Sequence, residues 1–166
     1  MTNHRLTLIT GPAGVGKSTY GQILAEQTSS CLLDSDTVTE QLVKAGMGAA
    51  GLDPDDRDSP EYRRYFRDPV YEVLFQTAAE NLVHLDVIIV GPFTREIQNS
   101  EWPAELSKRF GCEVEIVFVT CDETTRHQRV INRANPRDQW KLTNWNEYLA
   151  KSSVKLPACA HRVVET

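Results

Sequence analysis

A chain of 166 residues is the size of one ordinary domain and is long enough to bury a sizeable core. Hydrophobic residues make up 40% and charged residues 25%, proportions that argue against both a disordered chain and a membrane-embedded one. The formal net charge of −5 supplies no general basic field, which disfavours a long nucleic acid as partner and favours a small substrate.

The chain opens Met-Thr-Asn-His-Arg and runs directly into Leu6-Thr7-Leu8-Ile9-Thr10, which reads as a short buried strand. No apolar leader precedes it, and the longest continuous apolar run, residues 87–90, is far too short to cross a bilayer. Gly11-Pro12-Ala13-Gly14-Val15-Gly16-Lys17-Ser18-Thr19 follows, and its first eight residues fit G-x-x-x-x-G-K-[ST] at every specified position. Tyr20, Ile23 and Leu24 then recur at helical spacing, completing the strand, loop and helix order that the motif requires. Glycines let successive amide N–H groups converge on phosphate oxygens, and the positive end of the helix adds to them. Lys17 is the point charge for the β- and γ-phosphates, and the Ser18 hydroxyl is a Mg²⁺ ligand. A glycine-rich turn with a solvated lysine is the bland alternative. It gives no reason for the complete pattern, so residues 11–19 are read as a nucleoside triphosphate site.

Cys31-Leu32-Leu33 is a second short strand ending at Asp34-Ser35-Asp36. A helix is expected over residues 38–44, with Thr37 and Glu40 spaced as a capping box and Gly46 as its stop. Residues 47–60, rich in Gly, Asp and Pro, read as a long loop that covers substrate. Residues 61–85 are helical in pattern, with a break near Asp68-Pro69 and a core stripe of Tyr71, Leu74, Phe75, Ala78 and Leu82. Asp86-Val87-Ile88-Ile89-Val90 is the most strand-like run and ends at Gly91-Pro92. A short helix over 101–110 leads to a central strand over 113–119, and Asp122 caps a helix to about Arg133. Residues 134–142 are polar and lid-like, 144–151 form a last helix, and 161–164 a final strand. Cys31, Cys112, Cys121 and Cys159 are widely spaced with no C-x-x-C pair, and read as small buried side chains of a cytoplasmic protein.

Strands separated by helices imply a single-domain α/β fold with an open parallel sheet and helices on both faces. Ligands then gather at the carboxyl ends of the strands. Two carboxylates there invite a division of labour: Asp34 organising the magnesium shell, Asp36 accepting a proton from an attacking hydroxyl. Either could instead cap the second helix. The third strand ends in Val90-Gly91, with no Asp of its own for the metal, which makes Asp34 the substitute. Arg126, Arg129 and Arg133 lie within roughly 60° of one another on one helix face, as a triphosphate site or a solvated basic face would have them. Arg63, Arg64 and Arg67, interleaved with aromatics, suit either an anionic or ring-bearing substrate or an exposed face paired to Asp58 and Asp68. Thr94 and Arg95 lie just beyond the third strand on the ligand side, with an ion pair of Arg95 to Glu96 or Glu101 as the bland alternative, and Trp140, Trp145 and Tyr148 read as packing residues rather than a ligand platform.

With the phosphate loop, Leu33-Asp34-Ser35-Asp36-Thr37 and Arg129-Val130-Ile131-Asn132-Arg133 in place, the chain resembles the small phosphate-loop kinases of the gluconate, shikimate and chloramphenicol kinase and zeta-toxin group, which are AAA-type ATP-binding proteins. The likeness covers most of the chain in order, and the phosphate loop is its specific motif. It implies a three-layer fold with five strands in the order 2-3-1-4-5, and Asp36 as the base facing the acceptor hydroxyl. It also implies Arg129 near the adenine, Arg133 near the transferred phosphate, and a lid in the residues that follow. Two departures stand out. Nucleotide monophosphate kinases carry D-G-F-P-R after the third strand, whereas this chain has Val90-Gly91-Pro92-Phe93-Thr94-Arg95, which argues against a nucleotide acceptor. Relatives continue past their last strand into an adenine-contacting segment, whereas this sequence stops at Thr166. The expectation is an ATP- and Mg²⁺-dependent kinase, monomeric or homodimeric, acting on a hydroxyl of a small molecule. Its rivals are a regulatory ATPase without an acceptor and a 5′-hydroxyl oligonucleotide kinase.

Overall fold

The computed structural model describes residues 4–151 and 155–166. Strands β1 (Arg5–Thr10), β2 (Cys31–Asp34), β3 (Val87–Val90), β4 (Glu113–Thr120) and β5 (Arg162–Glu165) pair in parallel in the order β2-β3-β1-β4-β5. Alternation along the three central strands sorts their side chains into two cores. Leu6, Leu8, Val87, Ile89, Ile116 and Phe118 face one way, with helices α2 (Ser35–Ala49), α4 (Arg67–Asn81) and α5 (Trp102–Phe110) packed over them through Val43, Met47, Leu74, Phe75, Ala78 and Leu106. Ile9, Ile88, Val90, Val117 and Val119 face the other way, onto helix α1 (Lys17–Thr28) through Ala25. The sheet is therefore the middle of three layers. No helix among the described residues is long and apolar enough to cross a membrane.

The second helix departs from expectation at both ends. It begins at Ser35 because Asp34, extended at φ −84° and ψ 125°, is the N-cap and accepts a hydrogen bond from the Asp36 amide at 2.9 Å. Thr37 and Glu40 lie inside the helix and form no capping box. Gly46 does not stop it either. A Cβ there would meet the Phe66 ring at 2.8 Å, so the glycine lets an aromatic pack tightly against a continuing helix. The loop consequently begins at Ala50, the C-cap, and is ordered by its own side chains: Asp53 accepts from the Asp55 amide, and Asp56 from the amides of Asp58 and Ser59.

The break in the next helical stretch falls at Phe66, between α3 (Pro60–Tyr65) and α4, and not at Asp68-Pro69. Pro69 sits in the first turn of α4, where its missing N–H costs nothing. The segment after β3 is anchored by Phe93, fully buried and stacked on Tyr71 with ring centroids 4.8 Å apart. α6 (Glu123–Asn132) is capped by Asp122, whose side chain accepts from the Thr125 amide at 2.9 Å. A 3₁₀ turn over Pro136–Asp138 then leads to the short helices α7 (Gln139–Thr143) and α8 (Trp145–Lys151). All four cysteines are unpaired; Cys112 and Cys159 are buried, whereas Cys31 and Cys121 are only half-buried, short of the expectation for all four.

Candidate active site

The carboxyl edge of the sheet carries a cleft of about 1280 Å³, bordered by the phosphate loop, the end of β2, the segment after β3, α6 and the turn beyond it. Its floor is the loop from Gly11 to Ser18. Gly11 has φ +143° and Gly14 φ +85°, a region that residues with a Cβ rarely enter. A Cβ at Gly14 would also lie 2.6 Å from Val130 Cγ2, so the loop packs directly onto α6. Gly16 is the N-cap of α1 at φ +90°, which leaves the first amides of that helix without a side-chain cap and open to an anion. Val15 is the loop's apolar anchor and is fully buried in the α1-side core. Pro12, Ala13 and Thr19 line the cleft.

Lys17 is half-buried and donates to the Pro12 carbonyl at 2.8 Å. Burial pulls its ammonium down to about 8; Asp36 and Asp34 pull back, while Arg133 and Arg126 push further down. A triphosphate would supply the negative charge that this lysine is short of. The Ser18 hydroxyl donates to Asp34 Oδ2 at 2.6 Å, so the two metal candidates lie side by side. Asp34 thus holds the serine with one oxygen and caps α2 with the other. Among the described residues no group of three or more His, Cys, Asp or Glu side chains could hold a metal unaided. The Ser18–Asp34 oxygen pair offers the hard oxygen donors that Mg²⁺ takes.

Asp36 is not the cap, and its carboxylate turns to a different partner. Arg137 Nη1 and Nη2 donate to its two oxygens at 3.1 and 2.9 Å. Burial pushes the Asp36 carboxyl up, but the bonds and charge of Arg137, with Lys17 and Arg57 behind them, outweigh burial and hold it below its ordinary value. Arg137 Nε also lies 3.7 Å from Glu40, one turn further along α2. This pairing joins positions 101 residues apart, and no local pattern announces it.

The three arginines of α6 share a direction and then diverge. Arg126 is buried and donates to the Ala13 carbonyl at 2.8 Å and the Tyr148 hydroxyl at 2.9 Å, so it braces the loop and is not a solvated face. Arg129 donates to Val15 O at 3.3 Å and Thr166 Oγ at 2.7 Å, which sets its guanidinium beside the start of α1. Arg133 lines the cleft and is gripped by both carboxylate oxygens of Asp138, including a close Nε contact and an Nη2 bond of 2.7 Å. Asp138 is fully buried; burial raises its carboxyl, yet Arg133 and Lys141 outweigh burial and keep it below its usual range. Sequence reasoning passed over Asp138 because nothing in a polar stretch distinguishes a buried carboxylate. It also assigned Tyr148 to packing, although Tyr148 borders the cleft as well as packing at a tilt against Trp145.

The second basic cluster does not act as a unit. Arg67 forms a bidentate pair with Glu96 at 2.8 and 2.7 Å, and Arg64 lies over the Tyr65 ring. Of the three, Arg63 borders the cleft. Arg95 pairs with Asp68 at 3.3 Å and lies 3.8 Å from Glu96, with no bond to Glu101.

Residues 6–154 match the family model described as an AAA domain. No curated protein sequence matches the chain. Among solved structures, a candidate kinase from Chloroflexus aurantiacus J-10-fl is 21% identical with a TM-score of 0.69, over 100% of this chain and 89% of that one. A gluconokinase from Sinorhizobium meliloti 1021 is 16% identical with a TM-score of 0.57, over 99% and 83%. The APS kinase of Mycobacterium tuberculosis, solved with AMPPNP and APS, is 16% identical with a TM-score of 0.57, over 99% and 90%. At these identities the likeness is one of fold.

Proposed function

Since the chain belongs to the AAA domain family, we propose that it is an ATP- and Mg²⁺-dependent phosphotransferase that moves the γ-phosphate onto a hydroxyl of a small acceptor. The observation that carries this reading is the placement of Asp36: in the cleft that Lys17 borders, relieved of capping duty by Asp34, and kept ionised. A carboxylate at this place serves an acceptor hydroxyl or, in an ATPase, an attacking water, and the acceptor screen below separates the two. The kinase neighbours support the same class of chemistry.

In this reading the loop amides and Lys17 hold the β- and γ-phosphates, and Arg129 sits toward the nucleoside end. Ser18, with Asp34 beside it, would hold Mg²⁺, which when bound would supply charge to offset that of the phosphate oxygens. Asp36 orients the acceptor hydroxyl and takes its proton as the new O–P bond forms and the bond from the γ-phosphorus to the bridging oxygen breaks, releasing ADP. Arg133, fixed by Asp138, meets the charge spread over the transferred group. Residues 134–142 act as a lid: Arg137 reaches from them to both Asp36 oxygens, so lid movement and the setting of the base are linked. The loop up to residue 60 covers the acceptor. The four unpaired cysteines support a cytoplasmic setting.

A screen with γ-labelled ATP against sugars, hydroxy acids, antibiotics, nucleosides and short 5′-hydroxyl oligonucleotides tests the proposal. Transfer to a small molecule supports it. Steady ATP hydrolysis that no acceptor accelerates or diverts would overturn it in favour of the ATPase, and transfer confined to oligonucleotides in favour of an end-kinase.

A further inference from the structure

Resting on residues 11–18 as the nucleotide site of that reading, and on no particular acceptor, we propose that Arg126 and Tyr148 are positioning residues for the phosphate loop. Arg126 holds the Ala13 carbonyl so that the Gly14 amide is aimed at a bound phosphate, and Tyr148 holds Arg126. The bonds of the loop's carbonyls lead to this. A loop that binds phosphate must present N–H groups and keep its carbonyl oxygens, which repel phosphate, turned away. In a trans peptide the C=O of one residue and the N–H of the next point in opposite directions. Whatever fixes a carbonyl therefore fixes the amide that follows it.

Three carbonyls of the loop are held by side chains. Lys17 Nζ donates to Pro12 O at 2.8 Å, and the Thr166 hydroxyl and Arg129 Nη1 donate to Val15 O at 2.7 and 3.3 Å. Arg126 Nε donates to Ala13 O at 2.8 Å. The three differ in what a nucleotide does to them. Lys17 has to leave Pro12 for the phosphates, and Arg129 lines the cleft that the nucleotide fills. Arg126 is 4% exposed and does not line the cleft, so its hold on Ala13 persists when the loop is occupied.

The position of Arg126 is a built one. Gly14, at φ +85°, lets α6 come close: a Cβ there would stand 3.0 Å from the Arg126 carbonyl oxygen and 3.3 Å from its Cγ. The guanidinium is met by neutral groups. Besides the Ala13 carbonyl, these are the Tyr148 hydroxyl, which accepts from Nη2 at 2.9 Å, and the rings of Tyr148 and Trp145, whose centroids lie 5.3 and 5.6 Å from Cζ. Taking a cation out of water is costly, and neutral partners offset that cost less than a carboxylate does. They also leave the charge uncancelled, so its field reaches the phosphate loop. Lys17 feels it there, its ammonium pushed down by burial first and then by Arg133 and Arg126. A phosphate on the Gly14 amide supplies the opposite charge one peptide away. Tyr148 comes from α8, 22 residues further along the chain, so that helix acts on the phosphate loop through a single hydroxyl.

The test reads Gly14 directly. On uniformly ¹⁵N-labelled protein the Gly14 amide proton is followed as MgADP is added, with affinity by calorimetry and melting temperature on the same preparations. The wild type should show a downfield shift of the Gly14 proton that saturates with binding, as an N–H gaining an anionic acceptor does. Arg126→Met keeps the length of the side chain and has no donor; it should lose most of that shift and bind MgADP about 10- to 100-fold more weakly. Tyr148→Phe keeps the ring beside the guanidinium and removes the hydroxyl alone. It should weaken binding about 3- to 10-fold and leave an intermediate shift. Arg64→Ala, whose side chain lies over Tyr65, should match the wild type.

If Arg126→Met does not fold, Tyr148→Phe decides alone. Lower melting temperatures with MgADP affinity and the Gly14 shift at wild-type values overturn the proposal, since the brace would then serve stability only. Weaker binding with the Gly14 shift intact overturns it too, because Arg126 would then act elsewhere. A wild type that binds no MgADP overturns it together with the nucleotide site. Binding that follows the expected pattern in a protein for which the acceptor screen finds no transfer supports the positioning role and removes the phosphotransfer reading alone.

Discussion

Lys17 makes nucleotide binding depend on pH in a way that can be worked out beforehand. Burial brings its ammonium down to about 8, so about nine-tenths of the free protein carries that proton at pH 7 and about one-tenth at pH 9. Bound phosphates favour the charged form and restore the proton. The complex therefore holds a proton that the free protein increasingly lacks, and affinity falls as pH rises, by about tenfold between pH 7 and pH 9. Near pH 8 about half a proton is taken up per nucleotide bound. For the ligand-free protein the sign is opposite. Its folded value lies below the unfolded 10.5, so between about 8 and 10.5 the unfolded chain binds more protons and stability rises with pH. Titration calorimetry with MgADP, run at pH 7, 8 and 9 in two buffers of different ionisation heat, reads affinity and proton uptake together. Lys17→Ala should abolish the uptake and lower affinity at pH 7 by ~100-fold, as loss of a charge aimed at phosphate commonly does. Affinity that is flat from pH 7 to 9 in the wild type, with no buffer-dependent heat, would refute the reasoning.

Arg133→Ala should lower kcat with little change in the KM for MgATP, whereas Arg129→Ala should chiefly raise that KM; equal, small effects would return both to a solvated helix face. Because Arg133→Ala also strips the buried Asp138 of its bidentate partner, its melting temperature must be measured beside the kinetics. Arg137→Ala removes the bonds that most oppose burial at Asp36, so the carboxyl rises and the acid limb of the pH–rate profile moves to higher pH. A uniform loss of rate with the acid limb unmoved would mean that Arg137 only clamps the lid.

The sheet and the phosphate loop were legible because each rests on local signals that tertiary context did not oppose: a continuous apolar run at Val87–Val90, a strand at Glu113–Thr120 that alternates first and is then apolar from Ile116 to Val119, and a glycine pattern between strand and helix. The strand order was not legible from periodicity and came through resemblance. The start of α2 was misread because Asp34, Ser35, Asp36 and Thr37 are all good capping residues, and local chemistry does not choose among them. The choice falls on Asp34, which Ser18, sixteen residues earlier, also engages. Gly46 misled for a related reason, since its value lies in the Phe66 ring against it. Residues in motifs could be named from sequence as candidates, whereas the partners that place a side chain in the cleft could not. Asp138 matters through Arg133, Arg137 through Asp36, and Arg126 through Ala13.

The role of Asp36 is tested most directly by Asp36→Asn, which keeps the shape of the side chain and removes the proton acceptor. With the best acceptor from the screen, single-turnover transfer from γ-labelled ATP is measured beside MgATP affinity by calorimetry on the same preparation. The account predicts transfer slowed by ~10²-fold or more with affinity essentially unchanged, because the loop amides and Lys17 that hold the phosphates are untouched. Transfer at the wild-type rate in the Asn protein, with affinity equally intact, would contradict the assignment of Asp36 as the base.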